Sequence, residues 1–416
     1  MAALGACSQS APAGSETEVT ESVEVSTAAA ETETVWPPTE EEEAFYNRRF
    51  DALLEAFASG AATTSYDTLA PVRGAPVSAQ DIPVSETGLD PETLEELTRF
   101  ADENNTQSLI IYQDGKILHE HYFNGADADT LIVGKSLAKP LGVLAVGRAI
   151  KAGQIDSLDQ PVADFFTEWQ GTDKDKILVR HLLDMRTGLL SQGPAPNRDD
   201  ILNRAYLHPR HDELIIREYP LINEPGVRYD YSNANAELVA PLIERATGVQ
   251  YEDWVAEEIL IPLGAAGGEI WMNREGGTAH SGCCILLPAR SWLKIAETVL
   301  MDGQVGGEAF LPDGYVQEML TPTPQNSHSG MGVYVGQPYV EYRGYLNPEI
   351  DFGRTYHSEP YIDQDLALFD GNSNQVIYMV PSKSLIVLRV GESPPKETVW
   401  DNSYLANTVS RALGED

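Results

Sequence analysis

The pattern of apolar and polar positions predicts two helices near the start of the chain. Between residues 39 and about 59, an acidic first turn precedes apolar residues at helical spacing, namely Phe45, Phe50, Leu53, Leu54 and Phe57. Asp90 and Pro91 form a typical helix start, an N-cap followed by proline in the first turn, and this helix should reach about Asn104. Residues 61–87 are rich in proline and glycine and should wrap over the surface.

Strand-like patterns lie near the two ends of the chain. Residues 108–113 and 116–123 are β-rich runs separated by Asp114-Gly115, a strong signal for a two-residue hairpin. Similar runs come late, at residues 333–336, 366–369, 375–380 and 384–390, before a final helix at about 402–413. Between about 141 and 268 the periodicity is helical, with helices expected at 176–189, 212–219, 234–247 and 251–260. The pattern predicts an α/β protein of the α+β kind, with one antiparallel sheet from both chain ends, flanking helices and an inserted helical lobe.

A serine and a lysine stand where one of these helices begins. Proline is tolerated only in the first turn of a helix, so Pro140 requires the helix over residues 141–152 to start near Ser136. Lys139 lies three residues further on, on the same helix face, so its amine can reach the Ser136 hydroxyl. Unpaired N–H groups at the helix start favour a developing negative charge. This arrangement is typical of a serine nucleophile activated by a neighbouring amine.

The S-x-x-K pattern is weak by itself, because the chain contains it twice more. Ser393 is followed by two prolines, which prevent a helix there. Ser291 opens an amphipathic helix with an ordinary core face and is expected to be structural. Residues 134–136 also match the end of a phosphate-binding loop, but Asp129 stands where that motif needs glycine, so we expect no nucleotide site.

Composition narrows the class of protein. The chain has 416 residues, of which 42% are hydrophobic, enough for one large domain or two intimate lobes. Its net charge of −36 excludes a nucleic-acid or anionic-membrane footprint in the body of the protein. His119 and His121 share one strand face without a third ligand, and no H-E-x-x-H or C-x-x-C motif occurs, so we expect no metal site.

The cysteines suggest a lipid anchor rather than a disulfide framework. Residues 4–7, Leu-Gly-Ala-Cys, resemble a bacterial lipobox, although no basic residue or long apolar segment precedes Cys7. Residues 8–43 contain ten acids and no base, as expected of a solvated tether. We interpret the start as a shortened lipoprotein signal, with a chance match as the alternative. Cys283 and Cys284 are adjacent, a poor disulfide pair, and should be small buried residues.

Three spaced motifs resemble a known superfamily. A serine nucleophile needs a proton relay, and the helical lobe offers Tyr231-Ser232-Asn233, about 95 residues after Ser136. Together with Ser136-x-x-Lys139 and the segment 180–189, this motif resembles the serine β-lactamase and penicillin-binding superfamily, most closely its class C-like esterase and amidase branch, which includes 6-aminohexanoate-dimer hydrolases. The resemblance covers about residues 90–412 and implies a β-lactamase/transpeptidase-like fold.

The resemblance also implies roles for single residues. Ser136 matches the acylated nucleophile, Lys139 the residue that activates it, and Tyr231 the residue that relays the proton to the leaving group. Asn233 matches the position that orients the substrate, although it could simply brace the loop. A second Y-x-N, at residues 345–347, is expected to be only a loop.

The third family motif, K-T-G, is absent. His-Ser-Gly at residues 280–282 and 328–330 comes too early in the chain, so 369–371, Phe-Asp-Gly, is the best match. In that register Gly371 lies beside the nucleophile, and the N–H of Asn372 or a near neighbour joins that of Ser136 as second oxyanion donor. No lysine is present in this segment to bind a substrate carboxylate, and Asp370 would repel one, which favours neutral or cationic substrates.

These observations give one organisation and one leading function. We expect a signal remnant and acidic tether at 1–38, a helix and wrapping segment at 39–89, and a hydrolase domain at 90–416 with its helical lobe at about 141–268. The expected activity is cleavage of small-molecule esters or amides without cofactor or metal, at the bacterial cell envelope, lipid-anchored through Cys7 or periplasmic. A β-lactamase or D-alanyl-D-alanine carboxypeptidase is one alternative, and a catalytically silent binding protein of the same fold is another. The absence of G-x-S-x-G argues against an α/β-hydrolase.

Overall fold

A computed structural model describes residues 36–59, 66–77, 81–86, 88–193, 195–350 and 353–414. Its α-helices are α1 (Glu40–Ser59), α2 (Pro91–Glu103), α3 (Ala138–Lys151), α4 (Val179–Leu183), α5 (Ile201–Leu207), α6 (His211–Arg217), α7 (Asn233–Glu237), α8 (Val239–Thr247), α9 (Tyr251–Val255), α10 (Ala289–Leu300), α11 (Tyr315–Leu320) and α12 (Tyr404–Leu413). Its strands are β1 (Leu69–Val72), β2 (Thr106–Gln113), β3 (Lys116–Tyr122), β4 (Ile132–Val133), β5 (Gly268–Trp271), β6 (Ile285–Leu287), β7 (Gln304–Val305), β8 (Glu308–Ala309), β9 (Tyr334–Val335), β10 (Tyr342–Gly344), β11 (Arg354–Tyr356), β12 (Ala367–Gly371), β13 (Gln375–Val380) and β14 (Leu385–Gly391).

The main sheet joins both ends of the chain, as predicted. Its order is β3-β2-β14-β13-β12-β9, and every neighbouring pair is antiparallel. Asp114 and Gly115 both have positive φ, 50° and 80°, which suits the tight turn between β2 and β3. The mixed helix and antiparallel-sheet fold expected from the sequence is therefore confirmed.

The main sheet separates two hydrophobic cores. Because strand side chains alternate between faces, Ile110 belongs to the larger core, with residues of α3, α10 and the helical lobe. Its neighbours Leu109 and Ile111 belong to the second core, with residues of α2 and α12. The larger core therefore fixes α3 against the sheet, and α3 is the helix that follows Ser136.

A smaller sheet was not predicted. Its order is β1-β5-β6-β4, so the stretch that was expected only to wrap over the surface also supplies a strand. These strands have two to four residues, too few to show a period-two pattern. The smaller sheet matters for the site because β4 ends one residue before Gly134.

The helical lobe is confirmed, although its helices are shorter than the periodicity suggests. Between α3 and β5 the described residues form helices, turns and isolated bridges rather than strands. The helix expected at 176–189 is confined to α4, and Met185 beyond it has a positive φ of 61°. The helix expected at 234–247 divides at Leu238 into α7 and α8, where Pro241 stands in the first turn of the new helix and lacks an N–H.

The prediction that Cys283 and Cys284 are unpaired is wrong. The two adjacent cysteines form a disulfide and are buried, as predicted. The turn that contains them is closed by a hydrogen bond from the Cys284 N–H to the carbonyl of His280, at 3.4 Å, and holds both sulfurs together. Sequence separation alone does not reveal such a local turn.

The N-terminal predictions fall largely outside the structure. Residues 39–416 form a compact unit, whereas Cys7 and most of the expected tether lie outside the described residues. Within the described part of the chain, no helix combines the length and apolar character that crossing a bilayer requires. The anchor and the tether stay predictions.

Candidate functional site

Ser136 lies in a short 3-10 turn, Lys135–Leu137, that leads directly into α3. Gly134 before it donates its N–H to the carbonyl of Ile285, at 2.9 Å, which ties the turn to β6. A Cβ at Gly134 would lie 2.2 Å from the Trp292 ring, so only glycine fits there. Lys135 has a positive φ of 51°, a strained conformation for a residue with a side chain, directly before the serine. The local backbone is thus held in one conformation.

Lys139 is buried and makes three hydrogen-bond contacts. Its Nζ lies 3.0 Å from Ser136 Oγ, 3.0 Å from Asn233 Oδ1 and 2.7 Å from the Gly282 carbonyl oxygen. The amide and carbonyl oxygens can only accept, so they take two N–H groups of Lys139. In a neutral amine the remaining tetrahedral position is a lone pair, and here it faces Ser136 Oγ. This geometry allows a proton to move from the serine to the lysine.

Tyr231 completes the group on the other side of the serine. Its Oη lies 2.8 Å from Ser136 Oγ, and Lys139 Nζ lies 4.9 Å from the centre of its ring. The backbone of Tyr231 is held at both ends: its N–H donates to the Leu346 carbonyl at 2.8 Å, and its carbonyl accepts from the Gln192 N–H at 2.9 Å. The structure therefore brings Ser136, Lys139 and Tyr231 together, although they come from different parts of the chain.

Asn233, the first residue of α7, contacts Lys139 directly through its amide oxygen. It also lines the cavity above the serine. The segment 180–189 supports this helix from outside the cavity, because Thr187 Oγ1 donates to Asn235 Oδ1 at 2.7 Å. Asn233 is thus placed both to orient the lysine and to meet a bound molecule.

The strand expected to carry the third motif runs beside the serine. A Cβ built on Gly371, the last residue of β12, would lie 3.2 Å from the Ser136 nitrogen and 3.2 Å from the Gly134 oxygen. A side chain at this position would crowd the Ser136 N–H. Asn372 follows in a tight turn at the edge of the cavity. The end of β12, at residues 369–371, therefore lies beside the serine.

Asp370 of β12 has a cationic partner that the sequence did not indicate. Arg343 of β10 is buried and forms an ion pair with it, and its guanidinium lies 3.9 Å from the centre of the Tyr334 ring. Burial raises the pKa of Asp370, and the Arg343 charge opposes this shift. No sequence pattern predicts this pair, because the two residues lie 27 positions apart on separate strands.

The second Y-x-N is a loop, as expected, but it also forms part of the site. Tyr345 and Leu346 line the cavity. The Asn347 side-chain amide donates to the Tyr229 carbonyl at 2.7 Å and to Asp230 Oδ1 at 2.8 Å. This loop therefore braces the segment that presents Tyr231.

A cavity of about 820 Å³ opens above Ser136. Aromatic side chains supply much of its wall, namely Tyr231, Tyr334, Tyr342, Tyr345, Tyr356 and Trp400. Among the residues that the structure describes, the charged ones that line it are Asp370 and Arg354, and none is a lysine. The sequence did not predict this aromatic wall, because its tyrosines come from separate loops and short strands without a shared pattern.

The other S-x-x-K serine inside a helix has structural contacts, as predicted. Ser291 Oγ donates to the Ala266 carbonyl at 2.9 Å, and Lys294 Nζ donates to the Gly264 carbonyl at 2.6 Å. Each polar group thus donates to a backbone oxygen of the loop before β5. Ser291 and Lys294 are buried away from the residues that line the cavity.

Among the described residues, His211, Glu237 and His280 form a buried group whose metal-binding atoms lie within 4.8 Å of one another. The two imidazole rings are stacked, with centroids 4.2 Å apart and planes 12° apart. A metal bound to an imidazole lies along the nitrogen lone pair, in the ring plane, so two stacked rings do not converge on one ion. Glu237 Oε2 instead lies 3.5 Å from His211 Nε2 and 3.4 Å from His280 Nδ1. We therefore assign no metal to this group.

Comparison with known proteins agrees with the fold and the motifs. A family model described as Beta-lactamase matches residues 100–278. The chain is 24% identical over 244 residues to the 6-aminohexanoate-dimer hydrolase of Paenarthrobacter ureafaciens, a match covering 55% of this chain and 60% of that protein. The chain thus spans about three-fifths of the length of this relative.

Two solved structures share the fold at low sequence identity. A putative 6-aminohexanoate-dimer hydrolase from Bacillus anthracis is 18% identical, with a TM-score of 0.63 and coverage of 87% of this chain and 94% of that one. A putative β-lactamase from Bacteroides dorei is also 18% identical, with a TM-score of 0.60 and coverage of 78% and 98%. Residues 100–278 of the chain thus match the Beta-lactamase family, and the fold of the chain is that of the serine β-lactamases and penicillin-binding proteins.

Proposed function

We propose that this protein is a serine hydrolase that cleaves ester or amide bonds of small molecules through an acyl-enzyme on Ser136. One observation carries the proposal: Ser136 Oγ lies between Lys139 Nζ, at 3.0 Å, and Tyr231 Oη, at 2.8 Å, on the wall of a large cavity. A nucleophile, a base and a proton relay within hydrogen-bonding distance are what acyl transfer requires.

Acylation begins with the transfer of a proton from Ser136 to Lys139. Lys139 keeps its two N–H groups on Asn233 and Gly282 and accepts the proton of Ser136 as the serine oxygen attacks the substrate carbonyl. The N–H of Ser136 and that of Asn372 or a near neighbour stabilise the resulting oxyanion. Each such donor is worth on the order of 3 kcal/mol in the transition state.

Collapse of the tetrahedral intermediate needs a proton on the leaving group. Tyr231 donates its hydroxyl proton to the departing alcohol or amine, and Lys139, which holds the proton taken from Ser136, returns one to Tyr231. Water then attacks the acyl-enzyme, with the same groups taking its proton and returning one to the serine oxygen. The enzyme recovers every proton that it gives up during the cycle. The protons of the attacking water end on the two products.

The cavity favours bulky substrates without a carboxylate. Its volume lies in the range of sites that hold drug-sized molecules, and aromatic rings offer apolar contact area. The segment 369–371 contains no lysine, and the charge of Asp370 is already matched by Arg343, so this pair offers no free cation to a substrate carboxylate. We therefore rank neutral or cationic esters and amides above β-lactams and D-alanyl peptides.

Labelling with a fluorophosphonate tests the proposed nucleophile. Wild-type protein should be labelled and Ser136→Ala should not. Ser291→Ala is a matched control, because it removes the serine of the other helical S-x-x-K pair and should label like wild type. An unlabelled wild-type protein, or equal labelling of Ser136→Ala, would refute the proposal. Turnover of p-nitrophenyl butyrate against nitrocefin then tests the substrate ranking, which faster nitrocefin hydrolysis would reverse.

A further inference from the structure

Arg389 is a fully buried arginine in the middle of the main sheet. It lies on β14, paired with Val376 of β13 on one side and Leu109 of β2 on the other. No carboxylate lies within salt-bridge distance of it in the part of the chain that the structure describes. Burial lowers the pKa of Arg389 to about 10, which still leaves the side chain protonated at neutral pH. A buried cation without an anionic partner needs another source of stabilisation.

Hydrogen bonds to oxygen dipoles supply that stabilisation. Nε donates to Thr106 Oγ1 at 3.0 Å, and Nη2 donates to the carbonyls of Asn104, at 2.6 Å, and Glu392, at 2.8 Å. Nη1 donates to the carbonyls of Ser373, at 2.8 Å, and Asn374, at 3.1 Å. An arginine has five N–H groups, and these contacts use all five. This complete set of hydrogen bonds from Arg389 restrains each backbone segment that supplies an acceptor.

Two of the fixed carbonyls belong to the turn beside the proposed oxyanion site. Ser373 and Asn374 both have positive φ, 64° and 57°, and directly follow Asn372. The left-handed conformation costs a non-glycine residue about 1–2 kcal/mol, so two in succession need an external restraint. The other contacts of Arg389, to Asn104 and Glu392, tie the turn to segments flanking the central strands.

We propose that Arg389 is a positioning residue that holds the turn at residues 372–374 and thereby aims the second oxyanion donor at the substrate carbonyl. This inference rests on the proposed function. A planar group with five fixed donors suits the task, whereas lysine has three donors on one flexible nitrogen and cannot reach five acceptors in separate directions. The role concerns the transition state, because the oxyanion forms only after attack.

The test compares Arg389→Lys with a matched control, Arg49→Lys. Arg49 is also buried and also donates to backbone carbonyls, those of Leu207, Met272 and Asn273, but it lies near the smaller sheet. Active sites are counted by fluorophosphonate labelling, so that kcat refers to competent protein only. We expect Arg389→Lys to lower kcat for p-nitrophenyl butyrate about 10²-fold and to change KM little, as loss of one oxyanion donor does. The rate constant of labelling should fall in parallel, and Arg49→Lys should stay near wild type in both.

Different outcomes separate the two proposals. If wild type is not labelled, the proposed function fails and this inference falls with it. If wild type is labelled and Arg389→Lys keeps its kcat and labelling rate, only the role of Arg389 is refuted. If Arg389→Lys does not fold, Ser393→Ala replaces it, because Ser393 Oγ donates to Ser373 Oγ at 2.9 Å on the same turn. A several-fold loss of kcat at constant KM would then support the inference, and an unchanged kcat would refute it.

Discussion

Replacing Lys139 by methionine removes the proposed base while keeping most of the side chain. General-base catalysis contributes about 10²- to 10⁴-fold to a rate, so kcat should fall by that factor, which corresponds to about 3–5 kcal/mol of transition-state stabilisation. The substrate does not need the amine for binding, so KM should change much less. The substitution also leaves Asn233 Oδ1 and the Gly282 carbonyl without their donor. Each buried acceptor left unpaired costs about 1–3 kcal/mol, so the variant should unfold at a lower temperature.

The chain provides a matched control for this experiment. Lys294 belongs to the other helical S-x-x-K pair, is also buried and donates to the Gly264 carbonyl at 2.6 Å. Lys294→Met should therefore lose stability through the same kind of unpaired acceptor but keep its kcat. Both variants are assayed with p-nitrophenyl butyrate well below their melting temperatures, after circular dichroism confirms folding. A kcat for Lys139→Met within a few-fold of wild type would show that the lysine is not the base.

Three further predictions concern charge, pH and the N-terminus. Arg343→Met should lower the free energy of unfolding by about 3–5 kcal/mol in urea titrations, because it leaves Asp370 without its buried partner. The double variant with Asp370→Asn should recover much of this loss. No recovery would contradict a stabilising ion pair between the two residues. Burial raises the pKa of Glu244 from 4.5 to about 8, so the folded state holds a proton that the unfolded chain releases. Stability should therefore decline as pH rises from about 4.5 to 8, and Glu244→Gln should flatten that decline in urea titrations at several pH values. If Cys7 is a lipidation site, wild-type protein made in a bacterial host should incorporate labelled fatty acid and Cys7→Ser should not; equal incorporation would refute the assignment.

Local sequence signals predicted the elements that they control directly. Pro140 fixed the start of α3 and hence the spacing of Ser136 and Lys139 on one helix face. Asp114-Gly115 fixed the hairpin of β2 and β3. Counting back from the final hairpin placed residues 369–371 on β12, beside the serine. Each of these inferences depends on backbone rules that act within a few residues.

Contacts between distant segments could not be predicted in this way. The partner of Asp370 is Arg343, whose strand has three residues and no alternation. The acceptor that completes the contacts of Lys139 is the carbonyl of Gly282, and no side-chain pattern marks a backbone oxygen. The tyrosines of the cavity belong to separate loops and short strands, so their common wall exists only in the folded chain.

The two S-x-x-K pairs within helices show why the motif alone does not define a site. At Ser291 and Lys294 the hydroxyl and the amine each donate to a backbone carbonyl of the loop before β5. At Ser136 and Lys139, the two other acceptors, Asn233 Oδ1 and the Gly282 carbonyl, both bind the lysine amine. The serine hydroxyl is the third contact of that amine. Asn233 belongs to α7 and Gly282 lies between β5 and β6, so the two acceptors come from separate segments that the fold brings together. The same spacing can therefore anchor a helix or form a candidate nucleophile and base. The outcome depends on the tertiary structure, which determines whether other acceptors bind both the hydroxyl and the amine or only the amine.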